Sequence, residues 1–201
     1  MKNKVFVIGF QKTGTTTLET VLIDLGYRVY GGDKQIIKID SEEDRTTYIK
    51  SIMENFDVVQ DMPWPIYFKE LYNLYPNAKF ILTYRDPEDW IRSMVKYFGN
   101  TKSVIRKKIY GEDQLEGNEA LFLETYNRHN DAVLSFFQDK ENFLLMDIKK
   151  DFNYKTLYPF LEISPIPNKP FPKSRSNKQA LSNFRIYRNI RSLYHNIRRG
   201  H

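Results

Sequence analysis

The sequence predicts an α/β fold with a central parallel sheet flanked by helices. Three observations predict it. Short apolar runs of two to five residues recur along the 201 residues. Between them lie stretches whose apolar residues fall at helical spacing. The joints carry glycine, proline or a capping residue where a strand must turn into a helix. Strands that alternate with amphipathic helices build βαβ units, and these give a parallel sheet.

Each element follows in order. Val5-Phe6-Val7-Ile8 is an apolar run of the kind a strand buried on both faces needs. Gly9 to Gly14 form a loop. Leu18, Val21, Leu22 and Leu25 then make one helical stripe, which Gly26 ends. Residues Arg28 to Tyr30 suit a second short strand. Ser41, followed by Glu42, Glu43 and Asp44, reads as a helix start running to about Asn55. Val58-Val59 is a strand ending at Asp61. Pro65 suits the first turn of a helix to about Tyr75. Phe80 to Tyr84 is the next strand. Asp86 caps a helix with Pro87 at its first position and Trp90, Ile91, Met94, Val95 and Phe98 on one face. A long helix is expected over Gly117 to Gln138, a strand over Phe143 to Met146, and a helix over Phe152 to Leu161. The proline-rich stretch Ser164 to Pro172 reads as a loop. A tail helix with Phe184, Tyr187, Ile190, Tyr194 and Ile197 on one side closes the chain. A single domain over 1–201 is expected, with a body of about 1–165 and a basic loop and C-terminal helix of about 166–201.

Composition narrows the function. Apolar residues make up 41% and charged residues 28%, as in ordinary globular chains. No apolar run approaches the roughly 20 residues of a membrane span. Val5 to Ile8 is too short for the apolar region of a signal peptide, so a cytoplasmic place is expected. Cysteine is absent, which excludes disulfides and thiolate chemistry, and only three histidines are present. Nine of the 31 basic residues and none of the 25 acidic ones lie from Lys169 on. The net charge of +6 therefore divides into a body at −3 and a strongly basic tail. Such a tail suits a solvated helix face or contact with a polyanion, an anionic surface included.

The first turn carries the main motif, Gly9-Phe10-Gln11-Lys12-Thr13-Gly14-Thr15-Thr16-Thr17. A strand that turns through glycines into a helix aims backbone N–H groups and the positive helix end at one spot. That spot suits phosphate, and the fold is therefore expected to be three-layered and P-loop-like. Gly9 and Gly14 have the spacing of G-x-x-x-x-G-K-[ST]. The residue after Gly14 is Thr15, however, and the lysine stands three places earlier, at Lys12.

Gly9 to Leu18 resembles the 5′-phosphosulfate loop of sulfotransferases that use 3′-phosphoadenosine 5′-phosphosulfate, which has K-[TS]-G-T-[TS] here. Phe80-Ile81-Leu82-Thr83-Tyr84-Arg85, with Ser93 in the helix that follows, resembles that family's 3′-phosphate motif. An arginine at the end of a central strand also faces the ligand crevice of an α/β sheet on its own account, and its planar fork suits a phosphate. Asp61 to Phe68, the run Leu71 to Lys79, and Tyr126-Asn127-Arg128-His129 are similar to segments of the glycan and bacterial-type members. Lys173 and Arg175 lie where the family places a basic loop over the 3′-phosphate. The resemblance covers about residues 4 to 178. It implies that Gln11, Lys12, Thr13, Gly14, Thr15, Thr16, Thr17, Arg85, Ser93, Lys173 and Arg175 bind the cofactor, without a metal.

The resemblance implies transfer of a sulfuryl group to a hydroxyl of a small-molecule or glycan acceptor. Lys12 would stabilise charge on the leaving phosphate oxygen. The acceptor also needs a base. The family keeps a histidine or glutamate shortly after the first helix, where this chain has Asp33. Asp61, at the end of the next strand, is a rival, and His129 is third. Trp64 and Trp90 have rings able to stack on a base, and Trp90 equally fits the core stripe of its helix. Two other readings stand beside this one. A P-loop kinase would use Asp61 for magnesium, but lacks its lysine at Thr15. A non-catalytic module would hold a membrane or polyanion with the basic helix. No base-reading motif suggests a nucleic-acid partner.

Overall fold

The computed structural model describes residues 2–172. The apolar runs become five strands: β1 (Val5–Val7), β2 (Val29–Tyr30), β3 (Val58–Val59), β4 (Lys79–Tyr84) and β5 (Phe143–Asp147). They form one sheet of order β2-β3-β1-β4-β5. Every pairing is parallel, and Phe6 lies between Val59 on one side and Phe80 on the other. Seven helices accompany them among the described residues: α1 (Thr15–Asp24), α2 (Glu42–Met53), α3 (Phe68–Leu74), α4 (Pro87–Phe98), α5 (Val104–Tyr110), α6 (Glu119–Phe137) and α7 (Tyr154–Phe160). The α/β class and the flanked parallel sheet are as the sequence predicts.

Alternation along the strands sorts their side chains into two cores. Phe6, Tyr30, Val59 and Phe80 pack with Ile49 and Ile52 of α2, Phe68 of α3, and Val133 and Phe137 of α6. Val5, Val7, Val58 and Ile81 point the other way, onto Leu18 and Leu22 of α1 and Leu157 of α7. Three layers result. Burial on both faces explains why the strands read as continuous apolar runs.

Capping sets the helix starts. Ser41 accepts from the Asp44 N–H at 3.3 Å, Asp86 from the Asp89 N–H at 3.1 Å, and Asn153 from the Thr156 N–H at 3.0 Å. The helix expected from Pro65 begins instead as a 3-10 turn, Trp64–Tyr67, before α3 takes over. Its Ile66 N–H reaches back only three residues, to the Pro63 carbonyl at 3.1 Å. Helix α5 is not foreshadowed by a clear apolar stripe; Ser103 starts it by accepting from the Arg106 N–H at 3.4 Å. The basic tail helix, with Lys173 and Arg175 before it, lies outside the described residues. No helix among the described residues is long and apolar enough to cross a membrane.

The topology positions the site. From β1 the chain moves out to β2, returns to β3 between the two, and then crosses to β4 on the far side of β1. Strand order therefore reverses between β1 and β4. Parallel open sheets bind ligands beyond the carboxyl ends of the strands at such a point. A third apolar cluster, including Phe10, Trp90, Met94, Tyr110 and Tyr126, walls this end with α4, α5 and α6.

Candidate active site

The loop after β1 is shaped by close approach. A Cβ on Gly9 would stand 2.1 Å from Thr83 Oγ1 and 2.3 Å from the Thr83 carbonyl oxygen, so only glycine lets β1 end against β4. Gly14 sits at φ +97°, in the left-handed region, and a Cβ there would meet Phe152 at 2.8 Å. Thr13 is fully buried; its hydroxyl donates to the Phe10 carbonyl at 2.5 Å and lies 2.6 Å from Thr83 Oγ1. That hydroxyl closes the loop, which leaves the backbone N–H of Thr13 as its donor to a ligand. Helix α1 begins at Thr15 with no side-chain cap and no acidic residue in its first turn. The N–H groups of Lys12 through Thr16 meet no acceptor among the described residues. Thr15 is buried, while Thr16 and Thr17 are half-exposed.

Two cations flank this row of donors. Lys12 adopts φ 70°, and its ammonium lies 3.7 Å from the Tyr97 ring centroid. Burial, and secondly the nearby charge of Arg85, hold the Lys12 pKa below its ordinary value. Arg85 follows β4 and reaches toward the Lys12 carbonyl from Nη1 at 3.4 Å. Its Nε is buried without a partner among the described residues. Tyr126 fixes the Arg85 backbone, accepting from its N–H at 3.1 Å and donating to its carbonyl at 2.7 Å. Neither cation pairs with a carboxylate among the described residues. Ser93 stands half-exposed on α4, one turn before Tyr97. An anion between the two cations would relieve their repulsion and occupy the free N–H groups.

The three candidate bases lie in different surroundings. Asp33 is buried; its Oδ2 accepts from Tyr30 at 2.9 Å and Tyr48 at 2.5 Å, and its Oδ1 from the Gln35 N–H at 2.8 Å. It follows β2, which is separated from β1 by β3. Asp61 follows β3, the direct neighbour of β1, and is half-exposed at φ 68°. Its Oδ1 accepts from the Met62 N–H at 2.8 Å. His129 is buried, with Nε2 donating to the Ile8 carbonyl at 2.8 Å and its ring stacked on Phe10. Burial pushes its pKa down to about 4, against the opposing effect of the Ile8 bond. Both tryptophans are fully buried. Trp64 donates to the Gly31 carbonyl and Trp90 to the Gln11 carbonyl, each at 2.9 Å, so Trp90 ties the phosphate loop to α4. Among the described residues no group of three histidine or acidic side chains is placed to hold a metal ion.

A family described as Sulfotransferase domain matches residues 4–110 and 98–180. The chain belongs to this sulfotransferase family. Among curated proteins it is similar to Ava biosynthesis cluster protein M from Aspergillus versicolor, at 29% identity over 107 residues. That match covers 45% of this chain and 41% of the relative, so the chain spans about two fifths of that protein's length. Among solved structures it is similar to shikimate kinase from Bacteroides thetaiotaomicron, with TM-score 0.46 and 13% identity over 81% of this chain and 96% of the other.

In this sulfotransferase-family chain, α5 adds residues that motif reading passes over. Tyr110 is buried and accepts from Gln11 Nε2 at 2.9 Å. Burial raises its pKa, and the charge of Asp61 adds to the rise. Buried polar atoms without partners among the described residues include Gln11 Oε1, Gln60 Oε1, Arg85 Nε, and Arg106 Nε and Nη1. Gln11, Gln60 and Arg85 all lie just beyond the carboxyl ends of the three central strands. The only sequence signal for α5 was Ser103 as a cap, because Arg106, Lys107 and Lys108 mask its apolar positions.

Proposed function

We propose that this chain transfers a sulfuryl group from 3′-phosphoadenosine 5′-phosphosulfate to the hydroxyl of an acceptor. One observation carries the reading: among the described residues Lys12 and Arg85 stand together without a carboxylate, beside the N–H groups of Lys12 through Thr16 that meet no acceptor there, at the strand-order reversal. Two phosphate-bearing ends suit two cations and a helix start. The cofactor, when bound, supplies an activated sulfuryl group as electrophile.

The chain's residues do the rest. Lys12 and the N–H groups of Thr13 to Thr16 hold the anionic end at the loop and neutralise charge on the leaving oxygen. Arg85 and Ser93 take the 3′-phosphate, and Lys173 and Arg175 belong to the same proposal. Asp61 accepts the proton of the acceptor hydroxyl. It has the better claim among the three bases, because it is half-exposed and follows β3 beside β1, whereas Asp33 and His129 are buried. A small-molecule alcohol or a glycan would serve as acceptor.

The test is a melting titration with adenosine 3′,5′-bisphosphate beside ATP, each with and without magnesium. A ligand of the native state at a hundred times its dissociation constant adds about 2.7 kcal/mol. The bisphosphate is expected to stabilise the chain without magnesium, and Lys12→Ala to remove most of that gain. Stabilisation by ATP and magnesium alone would instead favour a kinase.

A further inference from the structure

We propose that Arg106 binds an anionic group, a carboxylate or phosphate, on the acceptor, which makes the acceptor an anionic alcohol or phenol; this rests on the sulfuryl-transfer reading above. The described residues include six arginines. Four carry a carboxylate: Arg28 with Asp57, Arg45 with Glu70, Arg92 with Asp89 and Arg128 with Glu124. Arg85 and Arg106 do not. Arg85 already has an anion to meet in the cofactor. Arg106 is left over, and it is the more buried of the two, at 5% exposure.

Its surroundings satisfy only part of it. Nη2 donates to the Thr101 carbonyl, and to Thr101 Oγ1 at 3.0 Å. The guanidinium carbon lies 5.1 Å from the Phe98 ring centroid. Nε and Nη1 have no acceptor among the described residues. The acidic residue whose field reaches Arg106 is Asp113, and Asp113 pairs with Lys102 at 3.7 Å. A buried guanidinium with two idle nitrogens and no carboxylate in contact among the described residues is costly to fold, and an incoming oxyanion lowers that cost.

Place decides which anion. Arg106 and Tyr110 are four residues apart on α5, so they share one face, with a rise between them of about 6 Å. Tyr110 touches Gln11, the residue before Lys12, and feels the charge of Asp61. Arg106 therefore stands one helical turn from the ring that is bonded to the transfer loop. Arg85 and Ser93 lie on β4 and α4, not on α5. A molecule presenting its hydroxyl near Asp61 and its charge toward α5 would meet Arg106.

The experiment uses the full chain saturated with adenosine 3′,5′-bisphosphate. Three probes are titrated: 4-hydroxybenzoate, 4-hydroxyphenyl phosphate and the uncharged methyl ester of 4-hydroxybenzoate. The readouts are probe affinity and the arginine Nε–H cross-peaks in nitrogen-15 NMR. At least one charged probe should bind about tenfold tighter than the ester and move the Arg106 cross-peak. Whichever charged probe does so separates carboxylate from phosphate. Arg106→Gln should bring the ratio to near one and leave bisphosphate affinity unchanged; Arg106→Lys should keep part of the preference. Charged and uncharged probes behaving alike, absence of binding included, would overturn the proposal, as would a wild-type Arg106 cross-peak that does not move. If the bisphosphate itself fails to bind, the sulfuryl-transfer reading falls, and the same comparison without it still decides Arg106. The wild-type cross-peak also decides the matter should Arg106→Gln not fold.

Discussion

Replacing His129 with glutamine separates a packing role from a catalytic one. The ring is buried between Phe10, stacked at 4.3 Å, and Phe68, edge-on at 5.9 Å, and Nε2 donates to the Ile8 carbonyl at 2.8 Å. Burial holds its pKa down to about 4, whereas the unfolded chain titrates near 6.5. Between these values the unfolded state binds a proton that the folded state refuses. Stability therefore falls as pH drops from 6.5 toward 4, and is unaffected by this group above 6.5. At about 1.4 kcal/mol per pH unit, the whole window is worth about 3 kcal/mol and the step down to pH 5 about 2 kcal/mol. Glutamine can still donate to Ile8 but has no proton to gain. Urea unfolding of both proteins at pH 7.5 and pH 5 measures the difference. The wild type should lose about 2 kcal/mol more than His129→Gln on acidification. Parallel losses would refute the buried neutral imidazole. The same variant should keep its turnover, since a group with a pKa of about 4 that is bonded to Ile8 is a poor proton acceptor at neutral pH.

Other outcomes follow from the same geometry. Asp61→Asn should lower turnover by about 10²–10⁴-fold without changing bisphosphate affinity. Asp33→Asn should instead lower the melting temperature, because it disturbs the bonds from Tyr30 and Tyr48, at a cost of roughly 1–3 kcal/mol; steady-state kinetics beside calorimetry would expose the reverse pattern. Gly9→Ala should cost roughly 1–3 kcal/mol or more, read by urea unfolding, since its Cβ would stand 2.1 Å from Thr83 Oγ1. Ser41→Ala removes the cap of α2 and should cost about 1 kcal/mol in the same assay.

The fold was legible because its strands are buried on both faces and several of its helices, α2, α4 and α7 among them, begin with side-chain caps. Val5 to Val7 and Phe80 to Tyr84 could hardly be anything else, and Asp86-Pro87 marks the start of α4 unambiguously. The cation pair was legible too, since Arg85 directly follows β4 and Lys12 lies in the loop after β1, its neighbour. What sequence spacing could not convey was depth and direction. Asp33 and Asp61 both follow short strands and precede a turn. Only the strand order, with β3 beside β1 and β2 one place further out, separates them. Helix α5 was illegible for another reason: its charged residues are not a solvated face, because Arg106 is turned inward.

Backbone conformation bears on the same residues independently of their charges. Three residues other than glycine have positive φ among those described: Lys12, Asp61 and Glu162. A left-handed backbone costs most side-chain-bearing residues about 1–2 kcal/mol relative to what glycine incurs there. It costs less for an aspartate that bonds locally, as Asp61 does to the Met62 N–H. Glycine would relieve that strain at each position, as it does at Gly14 and Gly26. A side chain kept at such a position must therefore contribute something glycine cannot. For Glu162 the contribution is visible, since its carboxylate accepts from Lys79 at 2.7 Å. For Lys12 no carboxylate partner exists among the described residues, and the ammonium rests on an exposed tyrosine ring. Asp61 accepts from the Met62 N–H with Oδ1, and its charge reaches Tyr110. Lys12 and Asp61 thus follow the neighbouring strands β1 and β3, on the loop that would bind the donor and on the carboxylate that would take the acceptor's proton. The proposed transfer between two ligands would use that placement.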